Sequence, residues 1–224
     1  MMELRFFEIY RSSEYLDLLL NGVLISASLT IAAGVMGFLL ALSLSSIRYW
    51  KIPVLDQLAT AYVDFIRNTP LIVQLFFISF GLPAALNYAW PFWMHALLAL
   101  TINFSGYFAE ILRSGFVSIP KGHIEAAAAL NLSKVTTFRY IVLPQALVSM
   151  FPSLSSQFIF LFLTTGVISE IGVTDLTHAG VFIDSRSFRS FEVFITLTVL
   201  YIAISLFLKG VLQVVFEKTV GRNP

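Results

Sequence analysis

The 224-residue chain is 58% hydrophobic and only 12% charged, with a net charge of +1 and a mean hydropathy of +0.85. Water-soluble domains carry about 25% charged residues, so an ordinary soluble globule is excluded. With no cysteine, a disulfide framework, thiolate metal sites and iron–sulfur clusters are excluded too.

In chain order, residues 1–17 form an acidic segment, with Glu3, Glu8, Glu14 and Asp17 set against Arg5 and Arg11. The apolar run behind it is far longer than a signal-peptide core, so an extracytoplasmic tail is expected rather than a cleavable leader. Four stretches then lack any Asp, Glu, Lys or Arg: 18–47, 68–109, 140–169 and 193–208. About 20 helical residues cross a ~30 Å hydrocarbon core. The first, third and fourth stretches fit one crossing each, the fourth reaching Phe216 past Lys209. The second is too long for one helix, and Gly81, Leu82, Pro83 and then Asn87 predict two helices joined by a tight turn. The expected spans are 18–47, 66–82, 89–112, 140–168 and 192–216. They make residues 18–216 an all-α integral membrane domain, a five-transmembrane-helix bundle, followed by a tail at 217–224. A barrel is excluded, because the runs lack the period-2 alternation of its strands.

Arg48 and Lys51 follow the first span, Arg113, Lys121, Lys134 and Arg139 lie between the third and fourth, and Lys218 and Arg222 follow the fifth. These segments share one side. By the positive-inside bias the N-terminus faces out and the C-terminus faces the cytoplasm. Tyr88, Trp90 and Trp93 at one end of span three, and Tyr49 and Trp50 at the end of span one, fit interfacial anchors.

The loop 114–139 is the most informative segment. Pro120 and Gly122 punctuate a turn, and Glu125 opens a run of strong helix formers through Ala126–Ala129 to Leu130. Glu125 is expected in the first turn, where the helix dipole favours a negative charge. Asn131 stands where a left-handed cap is wanted and Ser133 where the next helix needs an N-cap. A short alanine-surfaced helix contributes little apolar area to lipid or core, so it fits docking into a groove of another protein. An interfacial linker helix is the plain alternative.

These residues resemble the EAA loop of bacterial ABC importer permeases: Glu125-Ala-Ala, a turn residue at Asn131, and Ile141-Val-Leu-Pro144 downstream. Arg67-Asn-Thr-Pro-Leu-Ile-Val-Gln-Leu75, Tyr107-Phe-Ala-Glu-Ile-Leu-Arg113 and Ile119-Pro-Lys-Gly-His-Ile-Glu-Ala-Ala127 resemble the polar amino acid branch (the histidine, glutamine and arginine type). So do Asn21-Gly-Val-Leu, Phe191-Glu-Val-Phe and Tyr201, and together these cover nearly the whole chain. The departures are Asn131 for the loop's glycine, His123 for a glutamine, and Leu163-Thr-Thr-Gly-Val167 where the family often has Lys-Asp-Thr-Ser-Leu. The resemblance implies the MetI-like permease fold in a bacterial inner (plasma) membrane. It implies that 122–131 is the coupling helix, with Gly122, His123, Glu125, Ala126, Ala127, Leu130 and Asn131 meeting an ATP-binding subunit. The implied partners are a second permease chain, identical or not, two ATP-binding subunits, an extracytoplasmic solute-binding protein and the lipid bilayer, with no nucleic acid. ATP-driven closure would then switch the spans between outward and inward openings.

Polar side chains at bilayer depth face the bundle interior or a cavity. Thr69, Gln74, Asn103, Ser105, Tyr107, Gln157, Thr164 and Thr165 are therefore candidates to line a translocation pathway for a zwitterionic amino acid. Interhelical hydrogen bonding is the alternative for each. Glu110 with Arg113, and Asp64 with Arg67, share helix faces at i,i+3 and are expected to be structural ion pairs at the membrane boundary. Pro144 and Pro152 should bend the fourth span.

No Gly-x-x-x-x-Gly-Lys-Ser/Thr phosphate loop occurs, so this chain is not expected to be an enzyme or to hold a cofactor or metal. ATP and magnesium belong to a partner ATPase. A haem subunit would need facing histidines within the membrane, which His95, His123 and His178 do not supply. The other readings left open are a permease for an opine or another amino acid derivative, and an ion-coupled transporter. The last calls for a buried carboxylate that the span interiors lack.

Overall fold

A computed structural model describes residues 5–219, so Glu3 of the acidic segment and Arg222 of the C-terminal tail lie outside the described residues. The chain is helical: α1 Phe7–Tyr10, α2 Ser13–Trp50, α3 Leu55–Arg67, α4 Leu71–Phe76, α5 Leu82–Leu86, α6 Phe92–Ser118, α7 Lys121–Ala129, α8 Lys134–Thr137, α9 Leu143–Thr164, α10 Leu176–Ser187 and α11 Ser190–Thr219. π-helical turns at Phe77–Gly81 and Phe138–Val142 join α4 to α5 and α8 to α9, and a 3₁₀ segment, Thr165–Ile171, prolongs α9. Among the described residues four helical stretches are long and apolar enough to cross a membrane, five if the broken pair 55–67 and 71–86 counts as one span.

The helices differ from the sequence expectation in instructive ways. The second span does not begin at residue 66; a separate helix, α3, ends at Arg67 and the chain breaks at Asn68–Pro70. Pro70 forces the break, since it lacks the N–H that a continuing helix needs. Gly81, Leu82 and Pro83 do not break the second span. The π-turn before α5 and the position of Pro83 at its start leave no hydrogen bond for the ring to remove, and the helix runs to a left-handed Asn87 (φ 51°). Pro152 lies inside a continuous α9. The coupling-loop helix starts at Lys121, after Pro120, so Glu125 sits in its second turn rather than its first. The loop after span four contains a 12-residue helix, α10, that the charge pattern did not reveal.

By contact density the chain forms two compact units, Met1–Val35 with Thr69–Thr101 and Phe158–Leu208, and Met36–Asn68 with Ile102–Gln157 and Lys209–Pro224. In the first, Ile9, Leu19, Leu176, Ala179, Ile183, Val193 and Leu197 form the core. A Cβ on Gly22 would stand 2.8 Å from Leu176 Cα, so α2 and the start of α10 touch through their backbones there, and Leu176 N–H donates to Ser26 Oγ at 3.2 Å. In the second unit α3 is amphipathic, burying Ala59, Val63 and Ile66 while exposing Leu58 and Phe65. Its buried face meets α6 where Gly106 permits it: a Cβ there would lie 2.9 Å from Ile66 Cγ2. Phe104, Phe108, Leu112 and Phe116 line the buried face of α6.

Candidate coupling and translocation site

The alanine helix α7 is short because both ends are capped by sequence. Pro120 is extended (ψ 132°) and its carbonyl accepts from His123 N–H at 3.0 Å. At the other end Asn131 is left-handed (φ 59°). Asn131 N–H donates to the Ala128 carbonyl at 2.9 Å and Leu132 N–H to the Ala127 carbonyl at 3.0 Å, the bonds of a Schellman cap. Ser133 Oγ then accepts from Thr136 N–H at 3.1 Å and starts α8. Gly122, His123, Glu125, Ala126 and Asn131 are exposed, and Leu130 is 74% exposed. Ala127 is the exception: it is 1% exposed, so its side chain offers no surface for docking. A side-chain contact that the sequence did not suggest links α7 to α9, with His123 Nδ1 2.8 Å from Gln145 Oε1.

Glu110 is a hub rather than one half of a pair. Its carboxylate accepts from Arg113 Nε at 3.0 Å and Arg48 Nη1 at 2.8 Å, with Arg67 Nη1 at 3.8 Å. Asp64 does not hold Arg67: no Asp64–Arg67 ion pair occurs among the described residues, and Asp64 is exposed, its backbone carbonyl accepting from Asn68 Nδ2 at 2.7 Å. One semi-buried carboxylate thus ties α2 to α6 by charge-assisted hydrogen bonds and draws in α3 by a longer ion pair to Arg67. Arg48 was missed because its partner is 62 residues away. The available signal was a lone arginine closing a charge-free span.

A polar cavity of about 500 Å³ opens beside this hub, lined by Arg67, Tyr107, Glu110, Ser149, Ser153 and Gln157 among others. Gln157 Nε2 is buried without a partner. Arg67 Cζ stands 5.9 Å above the Tyr107 ring. Two of the sequence-derived pathway residues, Tyr107 and Gln157, therefore meet in one cavity. Ser105, also in this unit, hydrogen-bonds Tyr62 at 2.8 Å and the Ile102 carbonyl at 2.7 Å, and Asn103 is buried.

In the other unit Gln74 Nε2 donates to Thr69 Oγ1 at 2.7 Å and to its carbonyl at 3.2 Å. Thr164 and Thr165 each turn the hydroxyl back onto their own helix, to the carbonyls of Leu161 (2.9 Å) and Phe162 (2.7 Å). Asp175 was not singled out from sequence. It is fully buried, its carboxylate accepts from His178 N–H at 2.8 Å as the N-cap of α10, and its Oδ2 has no partner. Burial pushes its carboxyl up to about 6. Among the described residues no group of His, Asp and Glu could hold a metal ion.

Apolar spanning helices, a capped surface helix between two of them and a polar cavity beside an ionic hub define a membrane permease subunit. Residues 33–221 match the family model described as the binding-protein-dependent transport system inner membrane component. The chain is 36% identical over 194 residues to the L-cystine transport system permease protein TcyL of Bacillus subtilis, covering 84% of this chain and 80% of that one. It is 39% identical over 162 residues to the glutamine transport system permease protein GlnP of Escherichia coli, covering 71% and 74%. A chain from the crystal structure of an amino acid ABC transporter with histidines matches it with a TM-score of 0.86 at 30% identity, over 97% of this chain and 100% of that chain. The protein belongs to the binding-protein-dependent transport system inner membrane component family. It is a multi-pass permease subunit of the ABC importer type, not a catalytic one, as the resemblance in its sequence implied.

Proposed function

We propose that this chain is the permease of an importer for polar amino acids, in which ATP and magnesium are handled by two separate ATP-binding subunits. Transport enters its spans through α7, with Gly122, His123, Glu125, Ala126, Leu130 and Asn131 on the docking surface. The observation that carries this reading is the geometry of α7. A rigidly capped helix leaves all but one of its expected docking residues exposed and is tied by His123 to Gln145 at the start of a spanning helix. A second permease chain completes the pathway, an extracytoplasmic protein delivers the solute, and the N-terminus faces out with the C-terminus in the cytoplasm.

Amino acids are the substrate class that the cystine and glutamine relatives support. The cavity chemistry agrees, since amide, hydroxyl and phenol groups can replace water around a zwitterion beside the paired, opposite charges of Arg67 and Glu110. Tyr107 and Gln157 contact the solute there; Thr69, Gln74, Asn103, Thr164 and Thr165 serve the path elsewhere. The test is uptake of labelled glutamine and cystine into proteoliposomes holding the assembled complex. ATP-dependent accumulation that needs the binding protein is expected. Accumulation by this chain alone, driven by an ion gradient, would refute the reading.

A further inference from the structure

A second, apolar groove of about 750 Å³ lies in the same unit as α7, on residues that the transport reading does not use. Its lining includes Tyr49, Trp50, Ile124, Lys134, Val135 and Phe138, and none of its lining residues is acidic. The aromatic side is preorganised: the Phe138 ring stands 5.4 Å from Tyr49, 5.2 Å from Trp50 and 5.1 Å from Phe116. Tyr49 and Trp50 are the last two residues of the 38-residue α2, and Phe138 opens the stretch that leads into α9. The groove therefore sits where two membrane-spanning stretches end, at the depth at which tryptophan and tyrosine meet lipid headgroups. Trp50 is 43% exposed and Val135 62% exposed, so the groove is open.

We propose that this groove binds one anionic phospholipid, its acyl chain against Trp50, Phe138, Ile124 and Val135 and its phosphate on Lys134. Two observations favour a lipid over a segment of another protein. The walls are built on the ends of two spanning stretches, α2 and the one that leads into α9, which places the groove at headgroup level. The one charge in the lining is a cation with no acidic neighbour there, which complements an anionic headgroup. Ile124 and Ala128 of α7 share this wall. A bound lipid would thereby brace the coupling helix from behind while its other face stays free.

The assembled complex, reconstituted in nanodiscs of equal phosphatidylglycerol and phosphatidylcholine, would be released into mild detergent and weighed by native mass spectrometry. The expected result is phosphatidylglycerol retained about fivefold over phosphatidylcholine, the factor one lysine contributes at an anionic surface. Lys134→Glu, an exposed position that folding tolerates, should bring the two lipids to parity. Val135→Trp should fill the groove and lower retention of both. Equal retention by the unaltered complex, or an undiminished excess in Lys134→Glu, overturns the proposal. A photo-crosslinking residue at position 135 in intact membranes gives the independent readout. A lipid adduct supports the site, and an adduct to the ATP-binding subunit overturns it.

Discussion

His123 Nδ1 lies 2.8 Å from Gln145 Oε1, and this contact joins the exposed helix α7 to the first turn of α9. Gln145 is held in turn, its Nε2 donating to the Ile141 carbonyl at 2.9 Å. A helix that passes force to a span needs such a strut, because its apolar contacts are few: only Ala127 is buried. Gln145→Leu should leave ATP hydrolysis by the complex intact and lower solute moved per ATP about two- to tenfold, the scale of one exposed hydrogen bond. His123→Gln, which can keep an amide-to-amide bond, should retain coupling. Equal stoichiometry in Gln145→Leu and the unaltered complex would show the strut to be idle.

The Glu110 hub makes a sharper stability prediction. Glu110→Gln removes the charge that three guanidiniums share, and Arg48, whose side chain is only 9% exposed, has no hydrated alternative. Breaking a semi-buried pair in this way costs about 3 kcal/mol. Thermal unfolding in detergent should show a lower midpoint for Glu110→Gln, with a smaller loss for Arg67→Ala, whose nitrogen stands 3.8 Å away and whose side chain is 38% exposed. A double-mutant cycle between Arg48 and Glu110 should return a coupling well above that between Arg67 and Glu110. Equal couplings would contradict the geometry.

Much of this was legible in the sequence, for a physical reason. Lipid forbids unpaired backbone and charge, so charge-free runs mark the spans, and the caps of α7 are local chemistry written in Pro120, Asn131 and Ser133. What stayed hidden depends on distant contacts or on backbone adjustment. Arg48 finds Glu110 across 62 residues, and no spacing rule reaches that far. Pro83 reads as a helix breaker, yet a π-turn just before it absorbs the missing hydrogen bond. Helix α10 carries Asp175 as a proper N-cap ahead of Leu176, Ala179, Gly180 and Ile183, but the helix has only 12 residues and its other positions include His178, Asp184 and Arg186. Within the candidate site, Tyr107 and Gln157 share a cavity, whereas Thr164 and Thr165 donate their hydroxyl protons to carbonyls three residues back, which a sequence cannot distinguish.

Glu125 separates the docking role from a structural one. It is exposed on α7, and no ion pair involves it among the described residues. Glu125→Lys should therefore leave membrane insertion and the thermal midpoint unchanged, within the ±0.5 kcal/mol usual for surface positions. If α7 docks through this face, the same change should abolish solute-stimulated ATP hydrolysis by the complex and the accumulation that depends on it. Normal uptake with Glu125→Lys would remove α7 from the coupling path.

Asp175 gives the chain a calculable pH dependence. Its carboxyl titrates near 6 in the folded protein against an ordinary value of 3.8, because burial disfavours the charged form more than the His178 and Thr177 backbone N–H groups support it. The folded pKa is raised, so the protonated form is the one that stabilises the fold. That stability is fully present below pH about 4 and is lost as the pH rises through about 6. A shift of about two units corresponds to about 3 kcal/mol. Thermal midpoints in detergent should therefore fall between pH 4.5 and 7. Asp175→Asn keeps the oxygen that accepts from His178 N–H and removes the charge, so its midpoint should be nearly flat over the same interval. His178 itself and Tyr201, which lies close enough to feel the carboxylate, are the other titratable groups near this corner. His178→Gln should preserve the slope, because the carboxylate takes the backbone N–H of residue 178 and not its ring. A slope that survives in Asp175→Asn but vanishes in His178→Gln would assign the titration to the imidazole instead.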